Sequence, residues 1–190
     1  SGAVSNQVAD VEKADVIMII GSNPTENHPV AATWMKNAAR NGTKIILADP
    51  RITSISQYAW RSLAFKSGGD IALLNGMIHV IIANDLVDKE FIEERVNNFN
   101  ELKERVADFT PEKASKICGI SPEVISEVAI EFAKSKGSMI LWGMGVSQHV
   151  HGTDNARCLI ALSTITGQIG KPGTGLHPLS CLLYTSPSPR

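Results

Sequence analysis

Three stretches of the chain, DVIMII at 15–20, KIILA at 44–48 and SMILW at 138–142, are apolar without alternation and rich in branched side chains. A strand wetted on one face alternates polar and apolar residues, whereas a strand covered on both faces does not. These runs therefore predict strands buried above and below, the condition of a parallel sheet between layers of helices. SLAF at 62–65 is a shorter and weaker fourth candidate. Helical patterns fill the intervals. Residues 28–41 end at Gly42, a common C-terminal stop. Residues 70–83 are apolar almost all round, which predicts an interior helix. Residues 88–96 and 101–108 read as charged, exposed helices. Thr110-Pro111-Glu112 and Ser121-Pro122-Glu123 each join a capping side chain, a proline at the first helical position and an acid in the first turn. The second of these starts a helix over 122–134 that runs into the strand at 138, and a last helix over 152–166 stops at Gly167.

Strand alternating with helix predicts an α/β fold, an open and mostly parallel sheet with helices on both faces and right-handed crossovers. With no internal repeat or break in composition, residues 1–179 read as one α/β domain. Residues 180–190 (SCLLYTSPSPR) carry neither period and are expected to be an unstructured tail foreign to the fold. At 190 residues and 43% hydrophobic content the chain can bury a core without disulfides. A net charge of −1 with no Lys/Arg block argues against a nucleic-acid or membrane-surface partner. The longest apolar run, 71–83, is interrupted by Asn75, Gly76 and His79 and falls short of the roughly 20 residues a bilayer span needs, so no membrane insertion is expected. Cys118, Cys158 and Cys181 form no CxxC pair, which suits a reducing, cytoplasmic setting. The first ten residues carry no signal-peptide pattern and no initiator Met, and the chain reads as a piece of something longer.

In open α/β sheets, ligands gather at the carboxyl ends of the strands. GSNPTENHP follows the first strand: Gly21 permits close backbone approach, Ser22 and Asn23 offer hydrogen bonds, and the next helix start favours a phosphate. An ordinary strand-to-helix turn has the same look, since the spacing is not GxGxxG. Asp49-Pro50-Arg51 follows the second strand, where nucleotide folds place an acid near a ribose or base; a salt-bridged turn is the plain alternative. Ser67-Gly68-Gly69-Asp70 leads into the apolar helix, and Asp70 is either a helix cap or a carboxylate accepting both N–H groups of a guanine edge. GMGVSQHVHG follows the last strand, and its glycines suggest backbone laid closely on a flat ligand. His149 and His151 read as loop or pocket-rim residues, since no cysteine or carboxylate stands near enough for a metal site. His79 reads as a satisfied core histidine, and Cys158, Trp34, Met35 and Trp142 as packing. No GxSxG, HExxH or Cys–His pattern occurs, so no catalytic and no metal-ligating residue is expected in this chain.

Taken in order, GSNPTENHP, LADPR, SGGDIALLNGMIHVII, ILWGMGVSQHVHG and TGQIGKPGTGLHP resemble the large subunit of formate dehydrogenase. That family belongs to the dimethyl-sulfoxide-reductase class and uses a bis-molybdopterin guanine dinucleotide cofactor carrying molybdenum or tungsten. The resemblance covers about residues 1–179. It implies that Gly21, Ser22, Asn23 and Glu26 lie around a guanine dinucleotide, that Asp49 and Arg51 form the DPR-type loop, that Gly69 and Asp70 read the guanine, and that Met144 and Gln148 touch the cofactor from the last loop. It further implies a protein that oxidises formate and passes electrons through an iron–sulfur relay to electron-transfer subunits. The family's metal-binding Cys or selenocysteine and its four-cysteine cluster motif belong upstream of Ser1, and its Arg-Gly-Gln-Asn-Asn segment belongs where this chain reads Ser180-Cys181-Leu182. The chain alone is thus expected to offer part of a cofactor surface and no complete reaction centre. Two other readings compete: a nitrate reductase of the same class, which shares the cofactor loops, and a non-catalytic α/β module that binds a nucleotide or docks on a partner.

Overall fold

A computed structural model describes residues 5–148 and 150–179. The expectations for His149, Cys181 and the 180–190 tail fall outside the described residues. After a 3-10 turn at Val8–Lys13, the elements run β1 (Val16–Ile20), α1 (Pro24–Asn27), α2 (Pro29–Arg40), β2 (Lys44–Ala48), a second 3-10 turn (Ser54–Tyr58) and β3 (Arg61–Leu63). There follow α3 (Asp70–Ala83), α4 (Lys89–Arg95), α5 (Phe99–Val106), α6 (Pro111–Cys118), α7 (Pro122–Lys134), β4 (Ser138–Trp142), α8 (Met144–Ser147), α9 (Gly152–Ile165) and β5 (Gly175–Pro178).

Among the described residues five strands pair in parallel, in the order β3-β2-β1-β4-β5. Central β1 is held on both sides, with Ile17 level with Ile45 of β2 and Met139 of β4. Its five residues are all buried, which is why the run VIMII shows no alternation. The alternation exists in space. Val16, Met18 and Ile20 enter one core with Ile46, Ile140 and the apolar sides of α3, α7 and α9. Ile17 and Ile19 enter the other with Ile45, Leu47, Leu141 and Met35 of α2. The chain moves from β1 to β2 with α2 on the second face, and moves the opposite way to β4 and β5 with helices on the first. This reversal of face with direction is what a single crossover hand requires.

Local signals account for the helix limits. Ser121 accepts the Val124 N–H and Thr110 accepts the Lys113 N–H, capping α7 and α6. α3 is the central helix of its layer, packed on α6, α7 and α9, and its burial nearly all round explains its lack of a polar face. The structure adds what the apolar pattern did not announce: the short helices α1 and α8, the 3-10 turns, and β5. Strand β5 (GLHP) is made by pairing with β4, and its outer edge is closed by Ser5, whose N–H donates to the Leu176 carbonyl (3.2 Å) and whose hydroxyl accepts the Leu176 N–H (2.8 Å).

Candidate functional site

Helix α2 after β1 and helix α9 after β4 lie on opposite faces of the sheet, so the two exit loops part company between neighbouring strands. A crevice at such a switch point is where open α/β sheets place ligands. Here it is a cleft of about 1300 Å³ fed by the carboxyl end of every strand. Its walls are Gly21–Asn23 and Glu26–His28 after β1, Asp49–Arg51 after β2, Phe65, Ser67, Gly68 and Asp70 after β3, Gly143–Gly145 after β4, and Leu179 after β5.

The base of the cleft is a contact between two loops. Gly21 adopts φ +56°, and a Cβ there would lie 2.8 Å from the Val146 backbone nitrogen. Gly143 donates its N–H to Ile20 and Gly145 donates to Gly21 (both 3.1 Å). The Cβ side of Gly21, Gly143 and Gly145 is therefore filled by the opposite loop, and all three also line the cleft. Ser22 and Asn23 are buried in the wall, and the Asn23 Oδ1 has no hydrogen-bond partner among the described residues. Glu26 is exposed at the rim, and His28, at the α2 N-cap, brings a buried and unpartnered Nδ1.

Asp49 is buried, and its Oδ1 accepts the Arg51 backbone N–H at 2.8 Å, with the Arg51 Nε at 3.5 Å. The salt-bridged turn is thus present, and it stands in the cleft wall with the Arg51 side chain largely exposed. Asp70 is buried at the first position of α3, one residue past the N-cap Gly69. Gly69 itself stands behind the cleft: a Cβ there would meet the Cys118 Cα at 2.8 Å, so its glycine serves the packing of this loop against the end of α6. Lys66 donates its N–H to the Cys118 carbonyl (2.8 Å) in the same contact.

The structure brings together eight of the ten sequence-derived residues: Gly21, Ser22, Asn23, Glu26, Asp49, Arg51, Asp70 and Met144. Gly69 and Gln148 are not in the wall; Gln148 is exposed beyond α8. Sequence reasoning passed over Phe65, His28 and Leu179. His28 and Phe65 stood inside or beside motifs already singled out, while Leu179 gave no signal because β5 was not recognised as a strand. His79 Nδ1 lies 3.0 Å from the Val106 carbonyl, a satisfied and partly buried histidine. The Cys158 thiol donates to Asn75, and burial, with the Asp154 carboxylate adding to it, pushes its pKa up to about 11, the opposite of an activated nucleophile. Among the described residues no three His, Cys, Asp or Glu side chains converge on a metal position, and no helix is long and apolar enough to cross a membrane.

The wall suits a nucleotide-bearing group. It has room, unpartnered polar atoms on Asn23 and His28, a buried carboxylate and an exposed guanidinium. Comparison with known proteins identifies the family. The chain is 46% identical over 179 residues to the F420-dependent formate dehydrogenase subunit alpha of Methanocaldococcus jannaschii, covering 94% of this chain and 27% of that protein. It is 41% identical over 179 residues to formate dehydrogenase H of Escherichia coli, covering 94% and 25%. Acetylene hydratase from Pelobacter acetylenicus superposes with a TM-score of 0.80 at 30% identity, over 88% of this chain and 25% of that one. The chain thus spans about a quarter of the length of the relatives it matches. The family model for molybdopterin oxidoreductases matches residues 1–186, and the chain belongs to that family.

Proposed function

We propose that the chain forms part of the guanine-dinucleotide end of a bis-molybdopterin guanine dinucleotide site in a formate dehydrogenase. Family membership carries a molybdopterin-type cofactor, and the relatives carry the formate assignment. The finer identity of the cofactor, with molybdenum or tungsten, belongs to the proposal. So do formate as substrate, electron-transfer subunits as partners, a cytoplasmic location, the single domain at 1–179 with a foreign tail, and the ten site residues. The observation that carries it is the convergence of loops from all five strands on one cleft with a buried carboxylate, Asp70, in its wall.

When bound, such a cofactor supplies the redox chemistry by which formate yields carbon dioxide and electrons. The residues of this chain bind and orient. The Asp70 carboxylate accepts the adjacent N–H donors of a guanine edge, which an adenine edge does not present. Asp49 holds Arg51 by a backbone and a side-chain contact, leaving the rest of the guanidinium for an anion or a ring face. Ser22 and Asn23 supply neutral hydrogen bonds, and the contact between the Gly21 and Gly145 loops holds the wall rigid.

The test is nucleotide selectivity of the chain, measured by calorimetry. The wild-type chain is expected to bind GDP at least tenfold more tightly than ADP, and Asp70→Asn to bring the two to near parity with the melting temperature little changed. A guanine preference that survives Asp70→Asn rejects the role given to Asp70.

A further inference from the structure

A second concavity, of about 300 Å³, opens away from the cleft, where α3 ends and α4 and α5 follow. Its apolar lining is Ile82, Val87, Ile92 and Phe99, which pack against the core that holds α3 and remain only half-buried. Helix α4 is anchored on α9 and helix α5 on α3, so the two lean on different neighbours and the groove between them stays open. The turn before each helix puts a non-glycine residue in the left-handed region, Asp85 at φ +53° and Asn98 at φ +63°. Asp and Asn tolerate that conformation best, and these sharp turns set the splay of the two helices.

The charges on the rim are all exposed. Lys89 and Asp85 pair with each other. Glu93 on α4 and Lys103 on α5 flank the groove from its two sides, and neither has an ionic or hydrogen-bonded partner among the described residues, not even the other. The rim therefore has no net charge to attract a uniformly acidic or basic partner. One free acid and one free base beside an apolar strip make a surface complementary to itself about a two-fold axis. Asp70, the first residue of α3, stands in the cleft wall, and Ile82 lies about 18 Å further along the same helix, so an occupant of the groove leaves the cleft open.

We propose that this groove is an interface between two copies of the chain, in which Glu93 of one protomer faces Lys103 of its partner and the apolar strips meet between the two pairs. The strip is small, which makes the dimer one that forms and dissociates with concentration. The charged pairs fix its register. This assignment is independent of the nucleotide reading.

The experiment is sedimentation velocity of the full chain across a concentration series, for the wild type, for Glu93→Lys, for Lys103→Glu and for an equimolar mixture of the two variants, with thermal melting to confirm folding. Each variant alone sets like charges against each other in both pairs, and its association constant is expected to fall at least tenfold. In the mixture one protomer brings two lysines and the other two glutamates, and association is expected to return to within threefold of the wild type. A wild type that stays monomeric at every concentration overturns the proposal. Variants that associate as strongly as the wild type overturn it too, since the contact then lies on another surface. A mixture as weak as its components shows that Glu93 and Lys103 do not face each other, and the two-fold interface fails.

Discussion

At Gly21 a single missing Cβ decides whether the cleft has a base at all. The left-handed φ of +56° disfavours any other residue, and the Cβ would stand 2.8 Å from both the backbone nitrogen and the Cγ2 of Val146. Strain and collision therefore act together. Gly42 offers the comparison, since it too has a positive φ (+106°) but nothing within 4 Å of a Cβ. Gly21→Ala is expected to destabilise the chain by about 3 kcal/mol, and Gly42→Ala by about 1 kcal/mol. Urea unfolding checks the difference. Equal losses at the two glycines would show that the loop contact yields and that only backbone strain counts. Gly21 was legible in the sequence as a place needing close approach; what approaches it was not.

β5 and the N-terminal segment depend on each other, and one buried histidine lies between them. His177 is 1% exposed on β5, with neither ring nitrogen hydrogen-bonded among the described residues. Burial lowers its pKa below the ordinary histidine value of 6.5, and the Asp10 carboxylate opposes this in part. The folded state therefore holds the ring neutral while the unfolded chain still takes up a proton. Stability is full above about pH 6.5 and falls as the pH drops from there toward the folded-state value. We expect the wild type to lose more stability between pH 7.5 and pH 5 than His177→Leu does, measured by denaturant unfolding at each pH. Identical losses would mean that His177 takes no part in the acid sensitivity. The strand itself was not legible, for physical reasons. A run of Gly, Leu, His and Pro has no β-branched residue and no period, and it becomes a strand only because Met139–Trp142 offers a ladder edge. Helices α3 and α7, by contrast, run over the residues expected, because caps and apolar period are local properties of those segments.

The whole molecule shows an unusual distribution of exposed apolar side chains. Seven large apolar side chains are exposed among the described residues, and four of them, Val30, Ile52, Met144 and Val150, stand in the segments that follow β1, β2 and β4. Large apolar residues gathered at one end mark a surface that is covered in use. The relatives are about four times as long as this chain, which is in keeping with such a cover. Alone in solution, the chain is expected to associate reversibly as concentration rises, and the double variant Ile52→Lys, Val150→Lys to associate less. Light scattering across a concentration series checks this; a wild type that stays monomeric throughout would show that the rim needs no cover.

What the sequence by itself determined are the properties written in consecutive residues. Unbroken apolar runs specify strands covered on both faces, Thr110 and Ser121 specify helix starts, and the order of the glycine-bearing loops specifies the family. Tertiary structure alone decided which of those loops meet. Pairing order places β1 beside β4, and that adjacency sets Gly21 against Gly145, carries Leu179 into the wall, and turns His28 from a helix start into a wall residue with an empty hydrogen bond. The reason is that strand exits more than a hundred residues apart become neighbours only through the sheet, and no local pattern encodes a neighbour supplied by pairing.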